Sequence, residues 1–433
     1  MKKIKVLIIG GGGREHCLAW KISKSRNVEK IYVIPGNAGI AKVAECIDIG
    51  ISKDNFNSLV NFVKEKDIDL TVVGPEASLV EGIVDYFEKR NHKIFGPNSH
   101  AAQMEGSKVF SKKLVKKYKI PTAGGIIFRK DNYKKVKEYI KDRKEYPVVI
   151  KADGLAAGKG VVIAKNNREA IEAVDDCFIH NKFGKAGNKI IIEDFLTGYE
   201  VSILCLSDGK KIIPMALAQD YKRIFDNDKG KNTGGMGSYS PVPMVNEKIL
   251  KRILEEIVYP TNSAMRKEGI NYRGILYIGV LVNNNNPYLL EYNCRFGDPE
   301  TQVVLPRLKN DLVPLILKCI GGNLKDSKLN WDNDKCVCVV LASRSYPESS
   351  SKGDVIKGLE SFEKSNKIMI FHAGTKEIGG DTVTDGGRIL GVVSKARNFK
   401  EARNKIYSSI NKIKFTGKQY RKDIASKAEK KKV

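Results

Sequence analysis

The stretch "LLEYNCRFGDPETQ", residues 289–302, decides how the middle of the chain folds. In a strand, side chains alternate between the two faces. Leu290, Tyr292, Cys294 and Phe296 then form a mostly apolar face, and Glu291, Asn293 and Arg295 line the other. A core has no use for an acid, an amide and a guanidinium in a row. The carboxylate of Glu291 and the carbonyl oxygen of Asn293 are hard donors of the kind Mg²⁺ takes, with phosphates and water completing its shell. Arg295 points the same way and suits a bidentate grip on a carboxylate or phosphate. The plain alternative is a solvent-washed strand face; the adjoining "GDPE" favours a site.

Working outward, "GILYIGVLVNNNNPYLLEYN" reads as a hairpin turning at its asparagines, and "EVSILCLSDGKKIIPMALA" as another around Asp208-Gly209. A helical pattern, "EKILKRILEEIVYPTNSAMRKEG", lies between them. Upstream, "GGIIFR", helix "NYKKVKEYIKDR", strand "YPVVIKA", loop "DGLAAGKG", strand "VVIA" and strand "KIIIEDF" make a compact α+β lobe, preceded by one long helical pattern, "SHAAQMEGSKVFSKKLVKKYK". The start of the chain alternates strand and helix, from "IKVLIIG" to "KIFGP", which predicts a parallel doubly wound sheet. Past "NLKDSKLNWDNDK", the runs "CVCVVLAS", "KIMIFHAG" and "DTVTDGGRILGVVSKA" with a final helix predict a small α/β domain. The closing "SKAEKKKV" should fray.

The 433 residues are 42% hydrophobic, enough for several cores, and carry a net charge of +26. That excess invites a nucleic-acid reading. Yet the lysines are spread along the chain beside acids, as in "VKEYIKDRKEY", and no nucleic-acid motif is present, so a lysine-rich solvated surface accounts for it. Eight scattered cysteines lack zinc-site spacing and read as reduced thiols in a cytoplasmic protein. The apolar run after "MKKIK" is too short for a signal peptide, and no stretch approaches a membrane span.

Four further motifs carry chemistry. "GGGGREH" follows a strand and opens a helix, so its amides should face an anion. A dinucleotide site is excluded, because the third fingerprint glycine and the ribose-binding acid are both missing. A mononucleotide phosphate and a structural turn stay open. "KADGLAAGKGVVIA" is not a Walker A loop, but its small residues with Lys151 and Lys159 suit a phosphate-covering loop. In "IIIEDFLTGYEVS", Glu193 and Glu200 flank a turn whose backbone can read an adenine edge while a carboxylate takes ribose hydroxyls. "AQDYKRIFDNDKGKNTGGMGSYSP" is a long polar loop of the functional kind, with Asp220, Lys222 and Arg223.

In their order, "GGGREH", "PGNAG", "GPEASLVEG", "FGP", "AAQMEGSK", "VIKADGLAAGKGV", "EDFLTGYE", "DYKR", "NTGGMGSYSP", "EYNCRFGDPETQ", "FHAGT" and "GGRILGV" resemble the ATP-grasp ligases and, within them, the phosphoribosylamine–glycine ligase family, over essentially the whole chain. The resemblance implies a multidomain ATP-grasp fold. It has a biotin-carboxylase-like N-terminal domain (1–104), a large lobe (105–121 and 194–328), a small lid lobe (122–193), a C-terminal domain (329–425) and a basic tail (426–433). It implies ATP as co-substrate, Mg²⁺ or Mn²⁺ as cofactor, and glycine and 5-phosphoribosylamine as partners joined through a glycyl phosphate. A monomer without nucleic-acid or membrane partners is expected.

Matching the motifs residue by residue, Lys108 and Lys151 would hold the ATP phosphates under a loop of Gly154, Gly158, Lys159 and Gly160. Glu193, Asp194 and Leu196 would form the adenine hinge, and Glu200 would bind ribose. Glu291 and Asn293 would ligate the metal. Asp220, Lys222 and Arg295 would serve glycine and the acyl phosphate, and Gly12, Gly13 and Glu76 would face phosphoribosylamine. Two departures stand out. "GILYIGVLV" lacks the metal-binding acid many ATP-grasp enzymes carry there, which leaves the number of metal ions open, and Gly11 and Cys17 replace other small residues.

Overall fold

Strand β1, Ile4–Gly10, is an apolar run with Val6 to Ile9 fully buried, as a strand covered on both faces must be. In the computed structural model, which describes residues 3–155, 160–363, 365 and 367–429, it centres a five-stranded parallel sheet. Its neighbours are β2 (Val28–Pro35), β3 (Glu45–Cys46), β4 (Leu70–Val73) and β5 (Ile94–Phe95), in the order β3-β2-β1-β4-β5. The order reverses between β1 and β4, and such sheets take ligands at the carboxyl ends flanking that reversal. Gly12 and Gly13 follow β1 and Glu76 follows β4, so all three stand at this crevice.

The long helical pattern after it is two helices, Ser99–Gly106 and Lys108–Lys117. Ser107 between them is extended (φ −139°, ψ 112°), and its Oγ accepts the Phe110 amide at 3.0 Å. Periodicity alone runs through the break because the deciding partner is remote. Asp153 Oδ1 takes the Ser107 hydroxyl at 2.8 Å and the Val109 amide at 3.0 Å. Serine prefers a cap to a helix interior, and Asp153 makes the cap pay. The break starts a new helix at Lys108. Between β4 and β5 the run "SLVEGIVDYFEKRN", which reads as one helix, is likewise two, Glu76–Val80 and Ile83–Glu88, around Gly82 with φ +91°.

The lid sheet is antiparallel, with β6 (Gly125–Arg129), β7 (Val148–Ala152), β8 (Val161–Ala164) and β9 (Lys189–Asp194) in the order β6-β9-β7-β8. It packs on its own core, including Phe128, Val136, Ile150, Val174, Phe178 and Ile192. The N-terminal, large-lobe and C-terminal parts instead share two continuous clusters. A motion of this lobe as a unit would therefore open no core shared with the rest of the described residues.

In the large lobe, β10 (Tyr199–Asp208) and β11 (Ile212–Pro214) form the first hairpin. The segment that reads as a structureless polar loop is in fact four strands: β12 (Gln219–Asp220), β13 (Arg223–Phe225), β14 (Lys229–Asn232) and β15 (Gly237–Ser240). The hairpin β13–β14 is local, whereas β12 and β15 join the C-terminal sheet. The pattern hid β15 because its burial is polar: Ser238 Oγ donates to Pro299 O at 2.8 Å and Ser240 Oγ to Leu217 O at 2.6 Å. Strands β16 (Arg273–Asn283) and β17 (Asn286–Asn293) complete the sheet β11-β10-β16-β17.

The C-terminal part adds β18 (Lys335–Ala342), β19 (Lys352–Val355), β20 (Met369–His372), β21 (Thr375–Ile378), β22 (Asp381–Asp385) and β23 (Arg388–Ala396), with β12-β15-β18-β23-β20 as its main sheet. The tail does not fray throughout. Ser426–Glu429 is a short helix, held by Arg403 on Glu429 at 2.7 Å and Lys427 on Asp228 at 2.6 Å; residues 430–433 lie outside the described residues. Among the described residues no helix is long and apolar enough to cross a membrane. Removing the Ser107 cap by Ser107→Ala should lower unfolding free energy by about 1 kcal/mol, read from the urea midpoint, while Ser107→Thr, which keeps the hydroxyl, should stay within about 0.5 kcal/mol.

Candidate active site

The quoted stretch forms its strand, with one correction. Gly279 pairs with Glu291 and Val280 with Leu289, so Leu290 is an extra, bulged residue. Buried Leu289, Tyr292, Cys294 and Phe296 make the apolar side, and Leu290 is only half-buried. The bulge is anchored by the Leu289 amide on Pro121 O (2.8 Å) and by Thr122 Oγ1 on Leu289 O (3.0 Å). Its free carbonyl, Leu290 O, accepts Lys151 Nζ at 3.2 Å.

Lys151 stands on β7 and reaches from the lid to the large lobe. Besides Leu290 O it pairs with Glu193 Oε2 at 2.6 Å. Lys108 Nζ, at the start of its helix, donates to Gly154 O at 2.9 Å, and burial pushes its ammonium below the usual lysine value. Of the expected covering loop, Gly154 (φ +136°) and Gly160 are described, whereas Gly158 and Lys159 lie outside the described residues. The Glu193 side chain does not face outward from the hinge. It lies buried between Lys151 and Lys112, which hold its carboxyl below the ordinary value against the cost of burial. Asp194 turns its carboxylate to Arg143 at 2.5 Å. Both carboxylates of the expected hinge are thus paired with cations, and the Leu196 amide has no partner among the described residues.

Glu291 and Asn293 are both half-buried on β17, two residues apart on the same face. Lys222 Nζ sits 3.3 Å from Glu291 Oε1 and 2.7 Å from Glu200 Oε2. The Lys222 charge, opposed by burial and helped by Lys151, holds the Glu291 carboxyl down to about 2. Burial works against the Lys222 ammonium, but Glu200, Glu291 and Asp220 hold it well above the usual lysine value. Asp220 goes the other way. Burial, resisted by Lys222 and reinforced by Glu300, Glu200 and Glu291, pushes its carboxyl well above the ordinary range. A carboxylate held ionised by its neighbouring lysines and an amide oxygen fit a hard divalent cation, whose other positions would go to phosphate and water.

Arg295 continues the same face. Its Nε donates to Glu76 Oε2 at 3.1 Å and its second amino group approaches Glu105 Oε1 at 3.4 Å. Against burial, Arg295 and Arg14 hold the Glu76 carboxyl at about 2. This pairing joins the large lobe to the crevice of the first domain. There the Gly12 amide donates to Glu15 Oε2 at 2.7 Å, so the glycine turn is partly satisfied by its own helix. Gly74 has no Cβ because Glu15 Oε1 occupies its place, only 1.9 Å from where one would be.

Sequence reasoning missed several residues here. Arg388 crosses from the C-terminal part to Asp298 Oδ2 at 2.8 Å, beside the glycine turn. The His372 amide donates to His16 Nδ1 at 2.8 Å. Lys112 and Glu105 sit in the cluster itself. The motifs "GGGREH", "FHAGT", "GGRILGV", "GDPE" and "AAQMEGSK" carried five of these, but nothing local says what they touch; Lys112 stood in no motif.

The family model of the phosphoribosylglycinamide synthetase N domain matches residues 4–105, that of its ATP-grasp (A) domain residues 106–301, and that of its C domain residues 336–427. A phosphoribosylamine–glycine ligase of Halalkalibacterium halodurans is 48% identical over 425 residues, 98% of this chain and 97% of that protein. One from Caldanaerobacter subterraneus is 47% identical over 423 residues, 98% of this chain and 100% of the relative. The crystal structure of phosphoribosylamine–glycine ligase from Thermotoga maritima matches with TM-score 0.84 at 34% identity, covering 97% of this chain and 100% of that one. The biotin carboxylase domain of Hydrogenobacter thermophilus 2-oxoglutarate carboxylase, solved with MgADP, shares the fold at 17% identity and TM-score 0.74, over 97% of this chain and 92% of its own. The ATP-grasp architecture implied by the motifs is therefore present, and the chain belongs to the phosphoribosylglycinamide synthetase family, whose relatives are phosphoribosylamine–glycine ligases.

Proposed function

We propose that this protein ligates glycine to 5-phosphoribosylamine with ATP, giving glycinamide ribonucleotide, ADP and phosphate, a step of purine biosynthesis in the cytoplasm. The observation that carries the reading is the meeting of Lys108, Lys151 and Lys222 around the ionised Glu291, where the lid sheet faces the large lobe. Three cations converging on a strand that also offers two hard oxygens suit a polyphosphate with its metal.

Glycine's carboxylate is a poor acylating agent, so one of its oxygens attacks the γ-phosphorus of ATP and ADP departs. Lys108 and Lys151 position and neutralise the phosphates, and Lys222 follows the charge of the forming glycyl phosphate. A Mg²⁺ or Mn²⁺ ion held by Glu291 and Asn293 would supply further neutralisation of the phosphate oxygens. The amine of phosphoribosylamine then attacks the acyl carbon and phosphate leaves. Asp220 and Arg295 hold the two ends of glycine, ammonium and carboxylate. Gly12, Gly13 and Glu76 line the crevice for phosphoribosylamine, placing its amine toward Arg295. Glu200 takes the ribose of ATP, and Asp194 and Leu196 offer backbone to its adenine. No acyl-enzyme is needed, since positioning and charge do the work.

The reading is tested by phosphate release from ATP with glycine and freshly generated phosphoribosylamine each omitted in turn; release that ignores both would defeat it. Lys151→Ala should cut ATP-dependent turnover about 100-fold or more with the circular dichroism unchanged; undiminished turnover removes Lys151 from the phosphate site. Glu291→Ala should raise the Mg²⁺ concentration for half-maximal rate at least about tenfold, and an unaltered titration removes it as a ligand.

Asp220 gives a pH signature. Its raised pKa means it is protonated below that value and ionised above it, so an ammonium-binding role is lost as pH falls through it. The acid limb of kcat/KM for glycine should lie above the ordinary carboxylate value of about 4 and be absent from the residual activity of Asp220→Asn.

A further inference from the structure

Lys112 has no part in the reaction above, yet its placement is unusual. It lies one turn beyond Lys108 on the helix Lys108–Lys117, with its side chain only 4% exposed. An ammonium has three N–H donors, and three acceptors meet this one: Ala123 O at 2.6 Å, Glu193 Oε1 at 2.7 Å and Thr122 Oγ1 at 3.2 Å. Thr122 and Ala123 belong to the chain entering the lid, and Glu193 to β9, the strand leaving it. One buried cation thus pins both connections of the lobe, which has a core of its own.

The second oxygen of Glu193 is bound to Lys151, so one carboxylate is shared by two ammoniums. A carboxylate paired with Lys151 alone would form a neutral couple and cancel most of the field that lysine offers a phosphate. With Lys112 on the same carboxylate, two positive charges and one negative leave the trio at net +1. Glu193 still fixes the direction of Lys151, together with Leu290 O at 3.2 Å.

We propose that Lys112 is a positioning residue of the nucleotide site, which draws Glu193 toward the lid hinge so that Lys151 is aimed without being neutralised. Lys112 itself touches no substrate. This rests on the reading of Lys151 as a phosphate ligand.

The test is calorimetric binding of AMPPNP with Mg²⁺ to the full-length protein and its variants. Lys112→Met should raise the Kd about tenfold. The double variant Lys112→Met/Glu193→Gln should bring it back to within about threefold of the parent, because the carboxylate that quenched Lys151 has lost its charge. A merely structural Lys112 predicts a double variant at least as weak as the single one, and that result, or an unchanged Kd in Lys112→Met, overturns the proposal. Should Lys112→Met fail to fold, Lys112→Gln removes the charge while keeping a donor for Ala123 O, and the same two comparisons apply. Lys151→Ala in parallel separates the two claims. Unchanged AMPPNP affinity there defeats the phosphate reading itself, whereas weakened affinity there with none lost in the Lys112 variants defeats only this inference.

Discussion

A charge taken out of water must be paired, and breaking such a pair by removing one partner is far more costly than never having built it. That constraint organises this protein. Lys151 on the lid pairs with Glu193, and Glu193 with Lys112 of the large lobe. Arg295 pairs with Glu76, 219 positions earlier, and with Glu105. Arg388 pairs with Asp298, 90 positions earlier. Each pair ties parts of the chain that share no local sequence signal, and together they hold the lobes in register around one site.

The same pairs explain how a site so dense in charge stays folded before substrates arrive. Glu200 and Glu291 share Lys222, and Glu193 is shared by two lysines, so no ion among them stands alone. On the proposed reading, binding is then an exchange of partners rather than a burial of new charge. A polyphosphate replaces carboxylates around the lysines, and a cation replaces ammonium around Glu291. The lid, with its core separate from the rest, is the part free to follow that exchange.

Two local irregularities make the geometry. The break at Ser107 turns a helix interior into a helix start and delivers Lys108 to Gly154 O. The bulge at Leu290 releases a ladder carbonyl for Lys151. Both depart from ideal periodicity, and both are stabilised by residues far along the chain, Asp153 in one case and Pro121 with Thr122 in the other. Sites often sit where regular structure yields to such a remote partner.

Much was readable from the residues themselves. The parallel sheet around "IKVLIIG", the two hairpins and the polar face of Glu291, Asn293 and Arg295 follow from side-chain period, turn chemistry and composition, which act within a few residues, whereas the ATP-grasp ligase was implied by the resemblance of the ordered motifs to that family. Tertiary structure alone decided that Lys112 shares Glu193, that Arg388 reaches Asp298, that the segment around Gly237 to Ser240 is a buried strand, and that one helical pattern breaks at Ser107. The physical reason is one of range. Local pattern reports what a residue does with its sequence neighbours, whereas a buried charge or hydroxyl is settled by whichever partner the fold brings to within hydrogen-bond distance.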